Sequence, residues 1–197
     1  MTKLLTILIA LTCATLHAQG VFVQDTGAGA VRGTGAGNVR GYVTSTSVAN
    51  IPTYGYNSTN VVPGALWTGI TNAFVEDGVY AECFHAGDAT DLYLNAFGFN
   101  IPSTAEIRGI ILKAKLRADG NPYISLAKGY SETGTEYYVY NSDFPVLWFT
   151  NGASTNLCGL TWTPSEINST NFCVRFKVED VGQAYLDAVT VEVFYVP

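Results

Sequence analysis

The chain has 197 residues, of which 13% are charged, and its formal net charge at pH 7 is −6. An acidic chain with only ten basic residues, none of them clustered, is a poor ligand for nucleic acid or for an anionic membrane surface. No apolar run beyond the N-terminus approaches the length of a membrane span. We therefore predict neither a nucleic-acid partner nor a membrane span.

Residues 1–18 have the pattern of a secretory signal peptide. Lys3 supplies a short positive region, residues 4–13 are apolar, and Ala18 provides the small residue that signal peptidase prefers. The apolar run is too short to cross a bilayer. We predict an exported protein, extracellular or on a virion surface, that begins at Gln19 after cleavage.

Residues 19–66 are predicted to be a Gly-rich flexible arm followed by a loop. An eight-residue pattern occurs twice, in residues 26–33 and 34–41, which is too few copies for a solenoid. Its glycines suggest a nucleotide-binding loop, but no strand–loop–helix pattern surrounds them and no Lys-Ser or Lys-Thr follows. A flexible arm, or a strand pair that orders on assembly, is the better interpretation, and residues 42–66 are a loop or an edge strand.

Residues 67–197 are predicted to form an all-β, antiparallel, jelly-roll-like β-sandwich of about eight strands with one short helical turn. Residues 107–118 alternate between apolar and polar side chains, but the phase slips, and a β-bulge at Gly109 would reconcile the two halves. Thr163 and Glu166, with Pro164 between them, form the pattern of a capping box at the helical turn.

Residues 172–179 and 185–196 are two alternating runs joined by a short bend. Such runs are typical of an antiparallel pair of strands that has one solvent-exposed face. Asp187 shares the face of Val189, Val191 and Val193, so it is expected to point inward and to cap the backbone amides of a neighbouring loop.

Several phrases of the sequence resemble a jelly-roll-like β-sandwich module that recurs in secreted bacterial proteins and in phage virion proteins. The matching stretches span most of residues 67–196: they are 67–73, 76–81, 93–99, 101–105, 107–110, 159–164, 167–168, 171–172 and 184–191. The resemblance implies the sandwich fold and a structural role. The resemblance says little about activity, because proteins with this fold have many different functions.

Three cysteines remain after removal of the signal peptide: Cys83, Cys158 and Cys173. In an oxidising compartment, one disulfide and one free thiol is the simplest arrangement. Cys158 and Cys173 flank the helical turn, and they stand where the resembling module favours Trp and Gly, which supports pairing them. Three unpaired thiols is the alternative.

A metal site is the first chemical possibility that the sequence raises. His85, Asp88 and Asp91 could together bind a transition metal, or Asp88 and Asp91 could hold Ca²⁺ with loop carbonyls. Asp is also common in turns for backbone reasons alone. We predict that the protein needs no cofactor, with Ca²⁺ as the alternative.

Catalytic residues are not predicted. The carboxylates Glu76 and Asp77, or Glu132 and Glu136, could form a glycosidase pair, but nothing in the sequence places them across a cleft. No Gly-x-Ser-x-Gly motif accompanies His85. We therefore predict that the protein is not an enzyme.

Aromatic side chains crowd residues 130–148, and exposed ones on a β-sandwich can stack on sugar rings or fill a protein interface. Tyr138, Tyr140 and Trp148 are the predicted ligand-binding residues. Our first hypothesis is an exported structural or adhesive module of a virion or cell surface, and the alternative is a lectin-like carbohydrate-binding module. The expected partners are further copies of the chain, surface glycans, or other virion and surface proteins.

Overall fold

A computed structural model describes residues 45–58, 65–87, 90–139, 146–179 and 181–197. The predicted signal peptide and the repeated Gly-rich arm lie outside these residues. The described strands are β1 (Thr46–Asn50), β2 (Tyr54–Asn57), β3 (Ala81–Gly87), β4 (Leu92–Asn95), β5 (Glu106–Ala118), β6 (Asn121–Lys128), β7 (Glu132–Thr133), β8 (Tyr137–Tyr138), β9 (Leu147–Ala153), β10 (Phe172–Glu179) and β11 (Val181–Val196). A 3-10 turn (Ile70–Ala73) and a one-turn helix α1 (Pro164–Ile167) complete the described elements.

The strands form two antiparallel sheets. The first sheet has the order β1-β11-β5-β9, with β3 also paired to β11. The second sheet has the order β2-β4-β10-β6-β7, with β8 also paired to β6. This arrangement confirms the predicted all-β antiparallel sandwich.

The hydrophobic core lies between the two sheets. Period-two alternation turns every second side chain of β5, β10 and β11 toward the opposite sheet, so that apolar residues meet there and polar residues face outward. The central buried side chains are Ile110, Leu112, Leu116, Phe172, Val174, Phe176, Val189, Val191 and Val193.

The last two strands do not pair with each other, and the predicted antiparallel pairing of residues 172–179 with 185–196 is wrong. β10 lies between β4 and β6 in the second sheet, whereas β11 pairs with β1, β3 and β5 in the first. The chain crosses between sheets after Glu179, so the apolar faces of β10 and β11 pack against each other across the core. Alternation alone predicts which face is buried, but it does not distinguish a neighbour in one sheet from a partner across the sandwich.

Two register shifts occur along the β5–β11 ladder. The first lies at Arg108 and Gly109, because Phe194 opposes Gly109 while Tyr195 opposes Ile107, and it confirms the predicted bulge. A side chain at Gly109 would collide with the backbone of Ala153 and Ser154, which explains the glycine there. The second shift leaves Asp187 as the extra residue in β11 between Leu186 and Ala188.

The sandwich begins earlier than the predicted boundary at residue 67. β1 pairs with residues 191–195 of β11, and β2 pairs with residues 92–95 of β4. Residues 46–57 are therefore edge strands of the two sheets, and only the edge-strand interpretation of this segment is compatible with the structure.

The helix α1 starts with the predicted capping box. Thr163 Oγ1 accepts a hydrogen bond from the Glu166 amide at 3.2 Å, and Glu166 Oε2 accepts one from the Thr163 amide at 2.8 Å. Pro164 occupies the first helical position, where its missing N–H leaves no bond unmade. Within the described residues, neither helical turn is long or apolar enough to span a membrane.

The predicted disulfide between Cys158 and Cys173 is not formed, and both residues are free thiols. Cys158 points into the core between the sheets, where its thiol donates to the Ile110 carbonyl at 3.7 Å. Cys173 points to the outer face of the second sheet, where it is buried with Tyr93 and Ala127. The two sulfurs therefore lie on opposite sides of the second sheet, and this arrangement excludes a disulfide bond between them.

We expect the thiols to distinguish this structure from the disulfide-bonded alternative. Burial raises the pKa of the Cys83, Cys158 and Cys173 thiols, so a thiol reagent at pH 8 should react slowly with native protein comprising residues 19–197. In denaturant without reductant, three thiols should titrate. A single thiol under those conditions would show that two of the cysteines are paired.

Candidate functional site

Two of the three residues predicted to bind a ligand, Tyr138 and Trp148, lie on different surfaces. Tyr138 lies on the outer face of the second sheet, opposite Tyr123 in the register of β6 and β8. Trp148 lies on the outer face of the first sheet, opposite Lys115 in the register of β5 and β9. Tyr140 lies outside the described residues. The sandwich therefore separates Tyr138 and Trp148 onto surfaces that face in opposite directions.

The densest aromatic surface is a group of four tyrosines on the second sheet, here called the tyrosine patch: Tyr54, Tyr56, Tyr93 and Tyr130. The rings of Tyr56 and Tyr93 stack at 5.6 Å between centroids with an interplanar angle of 9°. Tyr130 meets both rings edge-on, at 5.4 Å from Tyr56 and 4.9 Å from Tyr93. Tyr54 continues the row at 5.9 Å from Tyr56. Four rings within contact distance make a continuous aromatic surface.

Strand register and one turn bring these tyrosines together. Tyr54 and Tyr56 are two residues apart on β2 and so share a face, and Tyr56 lies opposite Tyr93 of β4. Tyr130 follows Gly129, whose positive φ of 57° turns the chain back over the sheet. The alternation of Tyr54 and Tyr56 is visible in the sequence, but their proximity to Tyr130 depends on β10 lying between β4 and β6.

The patch has a buried base and an exposed rim. Tyr56 Oη lies 3.8 Å from Cys173 Sγ, and burial together with this neighbour raises the pKa of Tyr56. Burial also raises the pKa of Tyr93. Tyr54 and Tyr130, in contrast, expose 57% and 52% of their surface. The rim therefore offers two exposed, hydroxyl-bearing rings to solvent.

A charged band runs beside the patch along β10. Arg175 contacts Asp91 Oδ2 through Nε at 2.9 Å and through Nη2 at 2.8 Å, and it also binds Glu136. Lys177 pairs with Glu179 and lies over the ring of Tyr123 at 5.6 Å. Each cation of this band thus has a carboxylate partner, so the band offers hydrogen-bonding groups with little net charge.

Beyond the band, Tyr123 and Tyr138 form a second aromatic pair at 5.5 Å. Tyr138 exposes 47% of its surface, and its hydroxyl donates to Asn121 Oδ1 at 3.3 Å. Tyr137 turns the other way and packs against the core, as the alternation of this segment predicts. The outer face of the second sheet therefore presents aromatic rings on both sides of a polar centre.

Of the residues proposed for a metal site, Asp91 has another described role. Asp91 is bound to Arg175, and Asp88 lies outside the described residues. Across residues 45–58, 65–87, 90–139, 146–179 and 181–197, no group of three His, Cys, Asp or Glu side chains is placed to hold a metal ion.

Trp148 belongs to a second group of side chains, the indole cluster, on the outer face of the first sheet: Trp148, Glu76, Lys115 and Asp187. Glu76 Oε1 accepts from Lys115 Nζ at 2.8 Å and from Trp148 Nε1 at 3.3 Å. Lys115 Nζ also lies 2.8 Å from Asp187 Oδ2. The indole is therefore held by a carboxylate that is itself held by a lysine.

Asp187 is the buried member of the indole cluster. Its side chain is fully buried at 0% exposure, and Oδ1 accepts from the amides of Gly78 at 3.1 Å and Asp77 at 3.3 Å. These bonds confirm that Asp187 caps a neighbouring loop. The expected inward orientation is wrong, because the bulge at Asp187 turns the carboxylate toward Lys115 on the outer face.

We predict an acid transition that is reported by Trp148. The hydrogen bond from Lys115 holds the pKa of Glu76 below its ordinary value of 4.5, so the contact stabilises the fold at neutral pH and is lost as the pH falls through the lowered value. Trp67 and Trp162 are buried, so the part of the change in tryptophan emission that depends on Glu76 reports Trp148. The midpoint should lie below pH 4.5, and Glu76→Gln should remove the transition. A midpoint above 4.5 would contradict the ion pair.

No protein-family profile matches the sequence, and no curated protein matches it significantly. Among solved structures, a CBM4 structure is similar over 74% of this chain and 92% of its own, with 12% identity and a TM-score of 0.43. TmCBM61 in complex with β-1,4-galactotriose shares 7% identity over 70% of this chain and 86% of its own, with a TM-score of 0.37. The K1 cleaved adhesin domain of Lys-gingipain from Porphyromonas gingivalis W83 shares 15% identity over 76% and 97%, with a TM-score of 0.37. At these values we draw nothing about function from the similarities.

Proposed function

We propose that the protein is an exported, non-enzymatic adhesive module that binds neutral glycans on the outer face of the second sheet. The observation that supports this proposal is the tyrosine patch, in which exposed rings lie beside a polar band. Aromatic rings pack against the apolar C–H faces of pyranose rings, and neighbouring polar groups bind the hydroxyls. The patch and the band offer both kinds of group on one surface.

The charge of the surface favours a neutral ligand. Arg175 is compensated by Asp91 and Glu136, and Lys177 by Glu179. A sulfated or uronic-acid glycan would need a cation free of such partners, and it would also meet the repulsion of a chain with a net charge of −6. Uncharged hydroxyls can bind to the same paired groups at little electrostatic cost.

A structural role on a virion or cell surface, with several copies assembled, stays a proposal alongside glycan binding. The Gly-rich arm motivates it. Because β1 begins at Thr46, the arm should be tested by removing residues 19–44, which leaves the first sheet intact. Equal monomeric masses by light scattering, with and without these residues, would contradict assembly through the arm.

Glycan binding is tested by affinity electrophoresis of residues 19–197 in gels that contain β-glucan, xylan, mannan or galactan. We expect retardation by at least one neutral polysaccharide. The double variant Tyr54→Ala/Tyr130→Ala should weaken this binding at least about tenfold, since the loss of about 1.4 kcal/mol has that effect. Both rings are exposed, so their removal should leave the fold intact.

Phe84→Ala is the matched control, because it removes an exposed ring from the first sheet and leaves the second sheet unchanged. The control should bind like the unmodified protein. An absence of retardation in all four gels, or equal binding by the double variant, would contradict the proposed function.

A further inference from the structure

The three tryptophans differ in what holds their N–H groups. Trp67 and Trp162 are buried, and they donate to the backbone carbonyls of Thr90 at 2.9 Å and Leu157 at 3.0 Å. Trp148 exposes 43% of its surface and donates to the side chain of Glu76, which is itself exposed. The core thus accounts for two tryptophans, but it does not account for Trp148.

The indole cluster binds the N–H group of this exposed ring. Asp187 is buried, binds two loop amides and pairs with Lys115, and Lys115 in turn pairs with Glu76. The chain of contacts ends at the indole N–H. Because the polar edge of the ring is thereby satisfied, the ring presents its apolar face for contact.

The same cluster offers polar groups beside the ring. Both described contacts of Glu76 use Oε1, which leaves Oε2 to accept a hydrogen bond from a ligand. Lys115 is partly exposed, and its ammonium carries three donors. The positive charge lies between two carboxylates, so the site has no free cation for an acidic ligand. An apolar ring face with an acceptor and a donor next to it matches a neutral pyranose unit.

We infer that Trp148 forms a second glycan-binding site, independent of the tyrosine patch and on the opposite side of the sandwich. Its ligand class is the neutral pyranose that the proposed function assigns to the patch, and the inference rests on that function. Because the two sites face away from each other, one chain bridges two glycan strands. A monomer then cross-links polysaccharide without forming an oligomer.

The test uses residues 19–197 and a neutral oligosaccharide of six units, taken from whichever polysaccharide retards the protein. Calorimetry should give two sites per chain, and tryptophan emission should change on binding. In Tyr54→Ala/Tyr130→Ala the stoichiometry should fall to one while the emission change persists. In Trp148→Ala the stoichiometry should also fall to one, and the emission change should be lost.

Cross-linking provides a second measurement with long polysaccharide. The unmodified protein should produce turbidity at about equal numbers of chains and ligand sites, and both variants should abolish the turbidity while each retains binding. Trp148→Phe, which keeps an aromatic face, should restore a weaker effect and also controls for folding.

The outcomes separate this inference from the proposed function. Binding with one site per chain, an unchanged Trp148→Ala variant and no turbidity would overturn the second site and leave the patch intact. Binding that is lost in Trp148→Ala but unchanged in Tyr54→Ala/Tyr130→Ala would support the Trp148 site and contradict the patch. No binding of any polysaccharide would overturn both.

Discussion

Replacing Phe172 by alanine is expected to lower the free energy of unfolding by about 3–5 kcal/mol, the usual cost of truncating a fully buried aromatic residue. Phe172 begins β10 and meets three rings edge-on, at 5.6 Å from Phe97, 5.7 Å from Phe99 and 5.1 Å from Trp162. The surrounding rings come from two separate parts of the chain and cannot all move into the space. A cavity therefore remains in the core of the sandwich.

The measurement is urea denaturation followed by circular dichroism, with two comparison variants. Phe172→Leu conserves most of the volume and should cost about 1–1.5 kcal/mol. Phe84→Ala removes an exposed phenylalanine and should change the stability by no more than about 0.5 kcal/mol. If Phe172→Ala were no more destabilising than Phe84→Ala, the packing of Phe172 against the three neighbouring rings would be wrong.

Asp187→Ala is expected to cost about 2–4 kcal/mol. The variant leaves the amides of Asp77 and Gly78 without their acceptor and removes one of the two carboxylates that bind Lys115. Loss of a buried partner usually costs more than the bond itself contributes, because the remaining polar groups stay desolvated. Lys115 keeps Glu76, so the loss should fall short of that for an isolated buried charge.

Two further variants separate the roles of Asp187. Asp187→Asn keeps an oxygen for the loop amides but loses the charge, so its stability should lie between those of Asp187→Ala and the unmodified protein. Glu76→Gln changes an exposed carboxylate and should cost much less than Asp187→Ala. If Glu76→Gln were as destabilising as Asp187→Ala, the stabilisation would come from the surface pair and not from the buried cap.

Local patterns in the sequence predicted the features that depend on neighbouring residues. The alternation in residues 107–118 located the bulge at Gly109, and the Thr163–Glu166 spacing located the start of α1. The sandwich class followed from many short alternating segments. These features need only the geometry of one or two elements, which the sequence specifies directly.

The arrangement of strands was harder to predict because it depends on contacts between distant segments. β10 and β11 were predicted to pair because they are adjacent in the chain, yet each pairs with other strands. The tyrosine patch was missed for the same reason, since it joins residues from β2, β4 and the turn after β6. Trp148 and Tyr138 are close in sequence, but they lie in different sheets. The alternation of apolar and polar residues does not predict this change of sheet.

The central position of β11 also determines the order in which the fold can form. β1 and β3 pair with β11 and with no other described strand, and β5 pairs with residues 184–196 of β11. The first sheet thus cannot assemble until residues 181–196 are available, and the closure of such long loops makes folding slow. Until then, the N-terminal strands keep open edges that are prone to pairing with other chains. In the exported protein that we propose, this delay would keep the chain unfolded during transport, and folding would follow translocation.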